Sequence, residues 1–273
     1  MKKFLLIILL MFSAGTISAF ENLLFTPPVA ATFEPRIGAN YEMAPEKLRL
    51  DIGASVDLCK LYTNQDIQIR LGADFFTYTR LRSAGRFKFP VETSDYFFGI
   101  NASMMHDMGD GHHLGARLRL SHISSHMVDG YTDPDWQFRR DPFVYSREFV
   151  DLLAAWEMRG HSAKYRIYAG ASAIFSTIPD DVAKFVPQIG VDAEQWLMRF
   201  LSVRAGIDYR MMDTDALDPA LNQLAAQLGI MLYTSKDTGI LLNYNFYNGK
   251  SMHGMFFRER DFYHAVGFQL IFY

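Results

Sequence analysis

Residues 48–58, "LRLDIGASVDL", decide the fold. Leu48, Leu50, Ile52, Ala54, Val56 and Leu58 fall on one parity, and Arg49, Asp51, Gly53, Ser55 and Asp57 on the other. A strict period of two marks a strand whose faces meet different surroundings. The same alternation returns at 67–81, where Ile67, Ile69, Leu71, Ala73 and Phe75 oppose Gln68, Arg70, Gly72 and Asp74. It recurs with varying clarity near 35–43, 94–106, 112–126, 144–158, 164–176, 187–198, 199–212, 224–234, 238–249 and 262–273. About a dozen strands of this length, even in number, suit a bilayer crossed at a tilt, and closure removes edges that lipid does not tolerate. The expected fold is all-β, a transmembrane antiparallel barrel of about 12 strands.

The rest of the chain agrees. "MKKFLLIILLMFSAGTISA" joins two lysines, a short apolar run and small residues. It reads as an export signal over residues 1–19, leaving 20–273 as a single outer-membrane barrel domain. No later segment has the roughly 20 apolar residues of a membrane helix, although 49% of the chain is hydrophobic and 15% aromatic. The net charge of −3 and the absence of a dense basic block exclude nucleic acid as the expected partner. Cys59 is the only cysteine, so no internal disulfide forms. Short connections ("DMGDG", "RGHSAK", "TSKD") alternate with longer ones ("SAGRFKFPVETSD", "TDPDWQFRRDPF", "STIPDDVAKFVP", "DTDALDPALNQ", "NGKSMHGMFFRERD"), as periplasmic turns and outer loops do. The first two connections, near "EMAPEK" and "CKLYTNQ", do not separate clearly. With both termini periplasmic, the strand bearing "RLRLSHISSH" rises toward the cell surface.

Arg49, Asp51, Arg70, Asp74, Arg117, Arg119, Arg147 and Asp151 sit on the polar parity. They would crowd the dry core of a soluble sandwich but fit a hydrated lumen, read as a plug of ion pairs or a narrow selective path. The last segment, "AVGFQLIFY", puts Val266, Phe268, Leu270 and Phe272 on the lipid face, with Tyr273 one residue beyond. A terminal aromatic there resembles the signal read by the outer-membrane assembly machinery. Trp136, Trp156 and Trp196 suit interfacial aromatic belts.

Four segments, "LLFTPPVAATFEPRIGA", "HISSHMVDGY", "YSREFVDLLAAWE" and "FYNGKSMHGMFF", resemble the bacterial family known as domain of unknown function 1207. That resemblance implies an outer-membrane barrel and carries no activity. A narrower one is chemical: His122-Ile123-Ser124 resembles the His-x-Ser dyad of outer-membrane phospholipase A and the lipid A deacylases. There serine is the nucleophile, histidine the base, and an Asn or Glu of the following strand orients the ring. Two residues apart on a strand, both side chains leave one face. If the next loop centres near Asp135, antiparallel pairing brings Glu148 opposite His122, facing outward with Ser146. The chemical reading is a triad of His122, Ser124 and Glu148 on the lipid side, hydrolysing ester bonds of outer-membrane lipids. The first reading is nevertheless a barrel of unassigned activity with a narrow or plugged charged lumen, in which these residues form a polar girdle at headgroup level; the lipid hydrolase is the alternative to it, and a surface binding module acting through the outer loops is the second alternative. This chain continues Ser125-His126 where the phospholipase has Asn-Gly, and Glu148 lies farther along than the family's third residue.

The phospholipase resemblance also brings calcium into question. Asp129, Asp133, Asp135 and Asp141 share the outer loop, but their spacing matches no EF-hand, and they read as solvated acids. His106, His112, His113 and His126 are divided between opposite membrane sides and are not expected to share a metal. "NGKSMHG" reads as an ordinary loop.

Overall fold

The computed structural model describes residues 23–212, 222–235 and 237–272. The signal segment 1–19, Tyr273 and most of the "DTDALDPALNQ" connection lie outside them. Twelve strands run β1 (Ile37–Met43), β2 (Glu46–Thr63), β3 (Ile67–Arg82), β4 (Val91–Gly109), β5 (His112–Met127), β6 (Tyr145–Arg159), β7 (Ala163–Ile178), β8 (Phe185–Met198), β9 (Leu201–Arg210), β10 (Gln223–Tyr233), β11 (Thr238–Lys250) and β12 (Arg260–Phe272). Each pairs antiparallel with its sequence neighbours, and β1 pairs with β12, so the sheet closes on itself. The expected strands are all present. β2 continues past Leu58, because register shifts between Asp57 and Cys59 and between Lys60 and Tyr62 break the parity that the alternation depends on. Asp110 and Gly111 turn β4 into β5 with φ of 52° and 78°, the positive pair a two-residue hairpin needs.

The wall is apolar outside and polar inside. Ile52, Ile100, Leu118, Leu120, Leu152 and Phe268 are exposed, while Arg49, Asp51, Asp74, Arg117, Arg119, Arg147 and Asp151 are buried. That inversion, on a sheet without edges, is an outer-membrane β-barrel. Phe272 ends β12 on the outer face, continuing Val266, Phe268 and Leu270.

The interior differs from a simple hydrated lumen, because two chain segments enter it. Residues 23–36 precede β1 and lie within the barrel. Leu24 N–H donates to Asp57 (2.8 Å), Val29 N–H donates to Asp192 (3.1 Å), and Arg166 donates to the Thr26 carbonyl (2.7 Å) and the Pro27 carbonyl (3.1 Å). From the other end, Ser251–Phe257 folds inward and is buried throughout. Asp95 accepts from His253 Nδ1 and from Gly254 N–H, each at 2.8 Å, and Met255 N–H donates to Ser125 Oγ (3.1 Å). Phe33 of the first segment and Met252, Met255 and Phe256 of the second belong to one buried cluster with Phe76, Tyr78, Phe97 and Phe149. The reading of "NGKSMHG" as an ordinary loop is therefore corrected: Met252, and Met255 and Phe256 just beyond it, are buried on either side of a histidine bound to Asp95 of the barrel wall.

Candidate functional site

β5 carries His122 and Ser124 outward and Ser121, Ile123 and Ser125 inward, the result of its alternation. Pairing with β6 sets His122 opposite Glu148 and Ser124 opposite Ser146. Phe98 and Tyr96 of β4 face them from the other side. His122 Nδ1–H donates to Glu148 Oε1 at 2.8 Å; a carboxylate only accepts, so this fixes the tautomer and leaves Nε2 as the basic nitrogen. The two side chains are 39% and 33% exposed, open to whatever surrounds the barrel.

Glu148 is itself held. Ser146 Oγ–H donates to Oε1 at 3.1 Å, and Ser176 of β7, its partner across the turn at 160–162, also hydrogen-bonds its carboxylate. A register shift between Glu148 and Phe149 sets Glu148 opposite Ser176, where unbroken pairing from the turn at 160–162 would have set it opposite Phe175, so Ser176 could not be reached by counting along the sequence. No hydrogen bond joins Ser124 to His122 in this structure; the two share a face without contact, an arrangement that tightens when substrate binds in many hydrolases. From His112 to Ser124 the strand climbs roughly 30 Å at ~3.3 Å per residue and the usual tilt, which sets the group at the end of β5 away from the β4–β5 turn.

The inward charges form a separate system. Glu34, on the entering segment, accepts from Arg117 (2.5 and 2.9 Å) and Arg119 (2.7 and 3.4 Å). Arg119 also reaches Asp151 (3.3 Å), which accepts from Ser172 (2.8 Å). Arg49 pairs with Asp51 (2.8 Å), Arg70 with Asp57 (3.3 Å), and Asp74 accepts from Asn101 (3.1 Å). The Arg147 guanidinium lies 4.9 Å from the Phe33 ring centre. These groups meet protein rather than open water. Sequence reasoning missed Glu34, the hub of the network; the one available signal was a lone acid in an apolar, proline-rich stretch ahead of the first strand.

The remaining candidates stay apart. His112 stacks on Trp156 (5.5 Å between ring centres), and Asp107 lies 3.8 Å from His113, both at the short-turn end, while His126 pairs with Ser94 at the far end. Asp133 accepts from the amides of Asp135 (2.9 Å) and Gln137 (3.0 Å) and so orders its own loop. Among the described residues no three His, Cys, Asp or Glu side chains converge as a metal site.

Solved structures share this architecture at low identity. Outer membrane phospholipase A from Escherichia coli superposes with a TM-score of 0.53 at 13% identity, covering 95% of this chain and 96% of that one. The Salmonella typhi outer membrane phospholipase, a dimer with bound calcium, gives 0.55 at 12%, covering 93% and 94%. The KdgM porin gives 0.45 at 8%, covering 87% and 99%. No curated protein matches in sequence. The family model described as "Protein of unknown function (DUF1207)" matches residues 63–272, a span that takes in His122, Ser124, Glu148 and the inward loop at 251–257; the chain belongs to that family.

Proposed function

We propose that this barrel is an outer-membrane lipid acyl hydrolase whose working surface is the outer wall. The observation that carries the reading is the 2.8 Å bond from His122 to a carboxylate on the bilayer-facing side, two residues from Ser124 on the same face. A girdle needs polar residues at this height, but it does not need a histidine ring locked by a carboxylate that two serines hold in turn. The likeness to the phospholipases, which share the fold, supports the same assignment.

In the proposed reaction, Ser124 Oγ attacks the ester carbonyl carbon as its proton passes to His122 Nε2. The carbonyl π pair moves onto oxygen. When the tetrahedral intermediate collapses, the bond to the alcohol oxygen breaks, and that oxygen takes the proton from His122. Water then repeats the sequence on the acyl-serine and frees the fatty acid. Glu148 stabilises the imidazolium, and Ser146 and Ser176 are positioning residues for it.

Calcium, bound by the Salmonella phospholipase dimer, finds no matching donor set here: no three ligating side chains converge among the described residues, and Asp133 is committed to backbone amides. No step is routed through it. The lumen, filled by residues 23–36 and 251–257, is read as closed, which leaves the wall as the place for chemistry. Residues 1–19 act as the export signal of a single barrel domain, and the terminal strand is recognised by the assembly machinery.

The test is release of fatty acid from detergent-dispersed phospholipid by the refolded protein. Wild type releases it and Ser124→Ala does not, with both migrating as folded barrels. Equal release by the two proteins refutes the reading.

A further inference from the structure

An ester hydrolase needs hydrogen-bond donors where the carbonyl oxygen becomes negative, and many enzymes use backbone amides for this. At Ser124 that source is closed. The strand is paired on both sides: with β4 through Tyr96 opposite Ser124 and Ser94 opposite His126, and with β6 through Ser146 opposite Ser124 and Tyr145 opposite Ser125. Interior amides of a closed barrel are taken up by the ladder. The donor at this position has to be a side chain.

One stands in place. His126 is two residues beyond Ser124, so the outer face of β5 reads His122, Ser124, His126 in a row with the serine in the middle. The two histidines differ in their surroundings. The ring of His122 is bound to Glu148; that of His126 makes no hydrogen bond among the described residues and rests edge-on against Tyr96, 5.7 Å between ring centres. It is exposed toward the surroundings of the barrel. Ser125, the residue between, points inward and accepts from Met255 N–H at 3.1 Å, which holds the strand that presents both outward neighbours.

We propose that His126 is the oxyanion donor of the hydrolase, contributing its ring N–H to the carbonyl oxygen on the side of Ser124 away from His122. Imidazole carries at least one N–H whether neutral or protonated, so the donor is present in either state. In the attack step the electron pair displaced onto oxygen is met by this N–H, and when the intermediate collapses the pair returns to the carbonyl and the contact relaxes. His126 gives up no proton. The role belongs to a catalytic residue.

The inference rests on the reading of Ser124 as nucleophile, and the experiment separates the two. Fatty-acid release from dispersed phospholipid is measured for wild type, Ser124→Ala, His126→Phe, His126→Ala and His126→Gln, each verified as folded by heat-modifiable gel migration. Loss of one oxyanion donor lowers kcat by roughly 100- to 1,000-fold. That loss is expected in both His126→Phe and His126→Ala, with KM changed by a few-fold at most. His126→Gln, which keeps an N–H donor, is expected to recover most of the lost rate. If His126→Phe and His126→Ala turn over within about two-fold of wild type while Ser124→Ala is dead, His126 is not the donor and the nucleophile assignment survives. If wild type releases nothing, or Ser124→Ala matches it, both fall.

Discussion

Glu148 and Glu34 show how one residue type serves two ends on opposite faces of the same wall. Outside, Glu148 accepts from His122 and, in the proposed triad, orients the base. Replacement by Gln removes the charge that stabilises the imidazolium while keeping the shape; the expected result is a fall of about 10²- to 10⁴-fold in fatty-acid release with the barrel intact. His122→Ala is expected to fall at least as far in the same assay. Inside, Glu34 is 1% exposed and shared by two arginines. Burial acts to raise its pKa, but Arg117 and Arg119 outweigh it and hold the carboxyl at about 2. Because this lies below the ordinary glutamate value of roughly 4.3, the stabilisation is fully present above that pH and is lost as pH falls toward 2. Melting of wild type followed across that window should show the loss. Glu34→Gln should melt lower at neutral pH, since breaking a buried ion pair costs about 3–5 kcal/mol, and should show much less change over the same acid range.

At the scale of elements, strands were legible and their contents less so. Alternation marks β1 through β12 because each strand lies between an apolar outside and a polar interior, and the short Asp-Gly turn fixes one register outright. His122 and Glu148 were brought together by register alone, through a loop taken to centre at Asp135, and the structure pairs the same two residues. The entering segments had no such signal. Phe33, Glu34, His253 and Met255 carry no period, and their partners lie far along the chain: Glu34 meets Arg117 and His253 meets Asp95. Contacts of that kind depend on closure of the barrel, which a local pattern does not encode. The inward loop gives a direct test. A Cβ at Gly254 would meet the buried Tyr145 ring and the Cβ of Ser125. Gly254→Val should therefore expel residues 251–257, seen as new protease cleavage between 250 and 259 that wild type resists. Unchanged resistance would count against the inward placement.

Taken as a whole, the barrel encloses two chain segments, 23–36 and 251–257, behind an apolar outer wall. Two segments occupying the lumen from opposite ends predict no steady conductance in planar bilayers, and because the N-terminal segment remains, deleting 251–257 alone should not open a path. Stable channels from wild type would contradict a closed interior. The filling also has a role for the wall: Ser125 is tied to the inward loop while its neighbours Ser124 and His126 face lipid, so the packed interior stiffens the strand that carries the proposed chemistry. The central claim is that Ser124 is an activated nucleophile on the outer face, and the most direct measurement is labelling by a lipophilic fluorophosphonate followed by peptide mass mapping. One adduct on Ser124, absent in His122→Ala, is the predicted result; no adduct on Ser124, or an adduct that forms equally well without His122, would contradict it.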